Sequence, residues 1–174
     1  ASEKLTVEVQ KSHVDSLGAS IKRIERHVLE TSEAMPHAQE LSAIPGIGRN
    51  LSMTILMEIG DINRFASAEN FASYARTVRS ERTSNGKKKG ENNRKCGNRY
   101  LSWAFMEASN FIRRYDERAA HWHARKAGKT NKVIATKAIA CKLAKAVWHI
   151  LKDGRGYDGD LLFGPLPKAK TKST

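Results

Sequence analysis

The stretch from Arg79 to Arg99, RSERTSNGKKKGENNRKCGNR, contains eight Lys/Arg, two Glu and three Gly, and no aliphatic or aromatic side chain. Such a segment has no face to bury, so it is neither a core helix nor a core strand. The sequence on both sides is patterned for helices. The chain must therefore fold as packed helices that hold a long, basic, glycine-bearing loop between them. Loops on a rigid scaffold commonly carry binding and catalysis, and this one suits a phosphate backbone. Its hydroxyls, notably Ser84 ahead of Asn85-Gly86, are placed where chemistry on such a phosphate could occur.

Composition supports an anionic partner. Lys and Arg number 31 against 18 Asp and Glu, for a formal net charge of +13. The basic segment alone contributes a net six of those charges, eight basic against two acidic residues. Charge clustered in this way points to nucleic acid rather than to a merely soluble basic protein. Hydrophobic residues make up 40% of the 174, enough for one modest core. No run approaches the roughly 18 apolar residues of a membrane span. The first residues, ASEKLTVEVQ, lack the apolar stretch of a signal peptide. Cys96 and Cys141 lie far apart and belong to no paired-ligand motif, so a reduced intracellular compartment is expected rather than a disulfide framework or zinc site. The chain starts without Met on a helix-like pattern, as a fragment of a longer protein would.

The periodicity predicts an all-α fold, with no strand signal. Residues 1–34 read as one long helix. Its apolar positions Val14, Leu17, Ile21, Ile24 and Val28 follow the 3-4 spacing of a heptad seam, which favours a coiled coil over a single amphipathic helix on its own domain. Residues 35–157 read as a compact helical domain. Pro36 opens a short helix over about 37–44, which ends at Pro45-Gly46-Ile47-Gly48. A helix from Arg49 to Ile59 follows, and then one over about 68–76 capped by Ser67. After the basic loop, a helix runs to Tyr115 with Leu101, Ala104, Phe105, Ala108 and Ile112 on one face. Residues 116–129 are helical in part. Thr130 is the expected cap of a last long helix with Ile139, Leu143, Val147 and Ile150 inward. Residues 158–174 read as a docked arm and a basic tail.

Three motifs carry chemistry. The first, LSAIPGIGRNLSMTILMEIG (41–60), has the pattern of a helix-hairpin-helix DNA-binding element. Gly46 and Gly48 can take positive φ and let backbone amides approach a phosphate. Ile44 and Ile47 would anchor the turn, and the helix N-terminus with Arg49 would add positive charge. Binding of this kind reads backbone rather than base sequence. An ordinary αα turn also favours Pro and Gly, so the motif is not decisive alone. The second is the basic loop, in which Arg82, Lys87, Lys88, Lys89, Arg94, Lys95 and Arg99 could neutralise phosphates. No aromatic residue interleaves with them for base stacking, and a solvated linker has the same composition. The third is Ser84. A nucleophilic serine needs exposure, nearby cations and a route for its proton. Ser84 has the first two and no evident base in sequence, and a Ser before Asn-Gly is more commonly a turn former. The six His have no ligand spacing, and no acidic pair suits two-metal catalysis, so no metal site is expected in these residues.

From about Leu41 to Tyr157 the sequence resembles the C-terminal domain of the DEDD/serine family of bacterial insertion-sequence transposases, also described as bridge-RNA-guided recombinases. The resemblance rests on IPGIGRNLSMTILMEIGDINRFASAENFASYA followed by SERTSNGKKKGENNRKCGNRYLSWAFMEA. It implies that the N-terminal helix is the family's linking coiled coil, which joins protomers as a homodimer or higher oligomer. It also implies DNA as substrate, a guide RNA as partner, and a bacterial cytoplasmic, nucleoid-associated protein. In the family, a loop serine attacks DNA and forms a 5′-phosphoserine intermediate. The family's hydroxyl pair falls on Thr83-Ser84, its glycine on Gly86, its lysines on Lys87 to Lys89, and its Lys-x-Gly-Asn step on Lys95 to Asn98. Ser84 is the implied nucleophile and Ser80 the reserve. Arg79 stands where many members have proline. The family's Mg²⁺ sits in a resolvase-like nuclease domain outside these residues, so this chain alone is expected to bind nucleic acid without cleaving it. The other reading is a non-catalytic helix-hairpin-helix nucleic-acid-binding module.

Overall fold

The computed structural model describes residues 2–33, 35–78, 82–90 and 96–167. The chain divides into two units, Ala1–Ala38 and Gln39–Thr174.

The first unit is the helix α1, Ser2–Glu33, which is 32 residues long. Its heptad-spaced residues Val14, Leu17, Ile21 and Ile24 are each more than half exposed. A helix whose apolar stripe stays in water gains little from that stripe, because most helical stability in proteins comes from covering such a face.

Among the described residues, the regular structure of the second unit is helical apart from a small hairpin. Its elements are α2 (Ala38–Ser42), α3 (Arg49–Ile59), a 3₁₀ turn (Ile62–Arg64), α4 (Ala68–Tyr74), β1 (Arg82–Ser84), β2 (Lys87–Gly90), α5 (Arg99–Tyr115), α6 (Glu117–Lys129), α7 (Lys132–Asp153) and α8 (Gly159–Phe163). Helix α7 is the centre, packed against α4, α5 and α6, while α3 lies on α5 and α8 on α6. Its buried residues include Ala135, Ala140 and Ala144 beside Ile139, Leu143 and Val147. Alternating small and large side chains lets three helices close on one without voids. The four inward positions expected for this helix are buried, as are Leu101, Ala104, Phe105, Ala108 and Ile112 on α5.

Local chemistry sets most boundaries. Ser67 caps α4 by accepting from the Asn70 amide at 3.2 Å, as its sequence position predicts. Gly154 ends α7 in the left-handed region, φ 67°. The expected cap at Thr130 is corrected: Thr130 closes α6, and Asn131 caps α7 by accepting from the Ile134 amide at 2.8 Å. Residues 117–129 are helical throughout, because the Asp116 side chain caps their first turn. Helix α2 is shorter than expected, and the positive φ of His37 (66°) precedes its start. The arm carries the short helix α8, capped by Asp158.

The expectation of a strandless loop is also corrected. Within the basic segment, β1 and β2 pair antiparallel, with Thr83 opposite Lys88 and Ser84 opposite Lys87. A bulge separates this register from the pairing of Arg82 with Gly90. Asn85 (φ 53°) and Gly86 (φ 71°) form the connection. Two consecutive positive φ values make the type I′ turn, whose twist matches paired strands. Here local turn chemistry forms a hairpin without an apolar face.

Candidate nucleic-acid interface

The serine segment leaves and rejoins the helical body at one point, and both ends are tied there. Helix α4 closes in a Schellman arrangement: the Arg76 amide donates to the Ser73 carbonyl at 3.0 Å and the Thr77 amide to that of Ala72 at 3.0 Å. Arg76 occupies the left-handed position, φ 55°, that glycine usually fills. The Thr77 hydroxyl doubles the bond to Ala72 at 2.9 Å. On the return, the Asn98 amide donates to the Tyr74 carbonyl at 2.7 Å, and Arg76 Nη2 donates to the Gly97 carbonyl at 2.8 Å. Gly97 (φ 87°) lies so close to the Tyr74 carbonyl that no Cβ would fit.

Asn98 is the junction residue. Its Oδ1 accepts from the Tyr100 and Leu101 amides at 2.8 and 3.0 Å, which caps α5. Its Nδ2 donates to Glu58 Oε2 on α3 at 2.5 Å. One side chain thus joins α3 to the start of α5, while its backbone holds the end of α4. The Arg64 guanidinium lies 4.5 Å from the Phe65 ring centre and 4.7 Å from that of Tyr74. Hydrogen bonds from Arg64 and then Asn98 hold the Tyr74 phenol below its ordinary range.

At the tip, Ser84 and Lys87 are exposed and face each other across the first pair after the turn. Directly opposed residues on antiparallel strands project to the same face, with Cβ atoms about 5 Å apart. The hairpin register thus puts a lysine directly across from Ser84 on the same face. The backbones of Arg82 and Lys88 lie on the strands, and Lys89 lies at the bulge. Ser80, Arg94 and Lys95 lie outside the described residues. Arg99 opens α5; its Nη2 donates to the Tyr100 hydroxyl at 2.6 Å and its guanidinium lies over that ring at 4.7 Å.

Gly46, Gly48 and Arg49 line a separate cleft of about 600 Å³, together with Asn50, Phe111 and Tyr115. No described residue of 82–90 lines it. Ile44 and Ile47 are buried as expected. The expected positive φ is present at Gly46 and corrected at Gly48. Gly48 has φ −75° and ψ 176°, an extended conformation open to any residue, and it serves as the N-cap position of α3. Gly46 does take positive φ (87°), but its missing Cβ makes room for α5: a Cβ there would fall 2.9 Å from the Ile112 Cα and 3.0 Å from the Ala108 carbonyl. The early amides of α3, with no acidic residue in its first turn, provide the positive end of a helix at this cleft.

Asp116 and His123 serve the fold. Asp116, nearly buried, caps α6 by accepting from the Arg118 amide at 2.8 Å, and it also receives Arg118 Nε at 3.0 Å and the Tyr157 hydroxyl at 2.8 Å. Burial alone would raise its carboxyl, but the Arg118 and Tyr157 hydrogen bonds prevail and hold it below the ordinary range. The Tyr157 phenol is raised, by burial first and then by Asp116. Buried His123 lies 3.0 Å from the Thr136 hydroxyl, and burial followed by Arg113 lowers its basicity. Among the described residues, no three His, Cys, Asp or Glu side chains gather to hold a metal ion. Nor is any described helix long and apolar enough to cross a membrane.

The basic hairpin thus presents a serine from a segment whose two ends are tied between α4 and α5, apart from the glycine-turn cleft. Comparison with known families then gives the class of protein. Residues 38–124, half of the chain, match the transposase IS116/IS110/IS902 family, and the chain belongs to it. A relative from Streptomyces coelicolor, the insertion element IS110 uncharacterized 43.6 kDa protein, is 28% identical over 165 residues. The match covers 87% of this chain and 39% of that relative, so the chain spans about two fifths of the relative's length.

Proposed function

We propose that this chain supplies the DNA-binding surface and the nucleophilic serine of an insertion-sequence transposase. The observation that carries the reading is the pairing of exposed Ser84 with Lys87 at the tip of a type I′ hairpin, in a chain of a transposase family. In the reaction, Ser84 Oγ attacks a DNA phosphorus. An O–P bond forms to the serine as its hydroxyl proton passes to solvent, the P–O3′ bond breaks, the 3′ oxygen leaves and takes up a proton, and the 5′ end stays on the protein as a phosphoserine diester. Lys87 counters charge on the non-bridging oxygens as the five-coordinate arrangement forms. The other cations of the segment, Arg82, Lys88, Lys89, Arg94, Lys95 and Arg99, hold the flanking phosphates. The clasp at Arg76, Gly97 and Asn98 ties the two ends of the serine segment to the helical body.

The order α2, Pro45–Gly48, α3 serves as a helix-hairpin-helix element, with the amide-rich start of α3 and Arg49 contacting a second phosphate. Helix α1 pairs with another copy through Val14, Leu17, Ile21 and Ile24, which covers the stripe left in water. Mg²⁺, a guide RNA and the catalytic carboxylates belong to the larger assembly, with a nuclease domain outside these residues. The chain alone binds nucleic acid without cutting it.

The decisive experiment is adduct trapping in the full-length recombinase. Wild-type protein and Ser80→Ala should leave a covalent protein–DNA species, and Ser84→Ala should leave none. An adduct that survives Ser84→Ala and disappears with Ser80→Ala would transfer the role to Ser80. No adduct with any variant would favour the second reading, a non-catalytic nucleic-acid-binding module, to which the cleft at Pro45–Gly48 points by itself.

A further inference from the structure

Helix α5 carries on its outer side a row of aromatic rings that the serine chemistry does not use. Tyr100 is 48% exposed, Trp103 53%, Phe111 37% and Tyr115 69%. At about 100° per residue, Tyr100, Trp103 and Phe111 fall within about 80° of one another, away from the buried face of Leu101, Phe105 and Ile112. Single exposed apolar residues are ordinary, whereas a row of large rings marks a binding surface. Guanidinium groups accompany the rings: Arg99 lies 4.7 Å from the Tyr100 ring centre and Arg114 5.5 Å from that of Phe111. Glu107 is the acid on the same arc.

The position of the row is as informative as its composition. It starts where the serine segment rejoins the body, at Asn98 and Arg99. It ends in the cleft of Pro45–Gly48, which Phe111 and Tyr115 help to line. The rings thus bridge two elements that each suit phosphate. Helix α5 has 17 residues, about 25 Å, a length that accommodates up to about seven nucleotides at a 3.4 Å rise.

We propose that this face of α5 is a stacking platform for an unpaired DNA strand, with bases on Tyr100, Trp103 and Phe111 and phosphates on Arg99, Arg114 and Arg49. Base faces are available to flat rings only where the duplex is open, so the platform selects single strands. The strand is DNA because it continues from the phosphate at Ser84; this rests on the function proposed above. A protein partner covering the row would have to desolvate the stacked guanidinium groups, whereas a polyanion neutralises them.

The test titrates the whole 174-residue chain with fluorescent oligo(dT), a duplex of the same length, and oligo(U), following anisotropy and the intrinsic tryptophan signal. Trp103→Ala and Phe111→Ala should each weaken oligo(dT) binding roughly 5- to 150-fold, as loss of one stacked base does, while duplex binding stays within about twofold. Trp103→Phe should recover most of the loss, and Met57→Ala, an exposed apolar residue on α3, should change nothing. Equal weakening on duplex, unchanged oligo(dT) binding, or tighter binding of oligo(U) than oligo(dT) would each overturn the platform. Absence of binding by the wild-type chain to both DNA forms would overturn the DNA-binding reading beneath it. Those two failures are distinguishable, because duplex binding survives in the first.

Discussion

The glycine turns at Pro45–Gly48 and Asn85-Gly86 use glycine for different reasons. At Pro45–Gly48 the turn is built into the core: Ile44 and Ile47 are buried, and Gly46 presses its α-carbon against the backbone of α5. At Asn85-Gly86 the turn stands in the open, and a Cβ on Gly86 would meet nothing within 4 Å. Gly46 takes positive φ and also lacks space for a side chain; Gly86 needs only its φ of 71°. The first turn positions helices, while the second sets the twist of a hairpin and so the pairing of Ser84 with Lys87. One is a packing device and the other a presenting device.

The contrast can be broken by substitution. Gly46→Ala should have the largest effect, because left-handed strain and overlap with Ile112 add: about 2–5 kcal/mol in stability, measured by urea unfolding. A loss below about 1 kcal/mol would mean that α5 does not need the close approach. Acid should weaken the same side of the molecule. Asp116 adjoins Pro45 in a cleft of about 470 Å³, and its carboxyl is held below the ordinary range despite burial. A lowered folded-state pKa contributes stability present above the unfolded value, about 3.9, and lost as pH falls through the folded value. Stability should thus hold down to about pH 5 and decline below about pH 4, and Asp116→Asn should cost about 1–3 kcal/mol at neutral pH and flatten that acid limb. An unchanged acid limb in Asp116→Asn would exclude this carboxylate as its source.

Gly86→Ala should cost about 1 kcal/mol or less of global stability, since only φ is strained. Yet it should reduce phosphoserine adduct in the full-length recombinase, because the Ser84–Lys87 pairing depends on the turn. A variant that keeps wild-type adduct would separate the hairpin from the chemistry. The smallest effect belongs to Gly48→Ala. With φ −75° and open space around its Cβ position, it should cost only the N-cap preference of Gly over Ala, about 0.5 kcal/mol, read from the same unfolding curves. A large loss there would remove the distinction between the two glycines of one motif.

Much of the fold was legible because its signals are local. The apolar spacing of α5 and α7 identifies their buried faces, and Ser67 marks the start of α4. The boundary at 130–131 was missed because two adjacent residues can both cap, and only backbone geometry selects Asn131. The hairpin was missed because its strands have no alternating apolar face, although Asn-Gly is itself a strong two-residue turn signal. For the site, Ser84, Lys87, Gly97 and Asn98 stood out in the motif, but the clasp did not. It depends on Arg76 in a left-handed conformation and on Glu58 of α3, distant in sequence. The α5 aromatic row was hidden for another reason: Tyr100, Trp103 and Phe111 lie off the buried face that the spacing identifies, but only the packing shows that no other described element covers them.

The sequence by itself determined a helical body, a basic segment with no face to bury, and a turn at Asn85-Gly86, because helical period, charge and backbone freedom act between near neighbours. Tertiary structure alone decided that Gly46 serves α5, that Asn98 joins three helices, and that four aromatic rings stay in water. Those outcomes depend on which surfaces meet, and residues far apart in the chain have no local rule that brings them together.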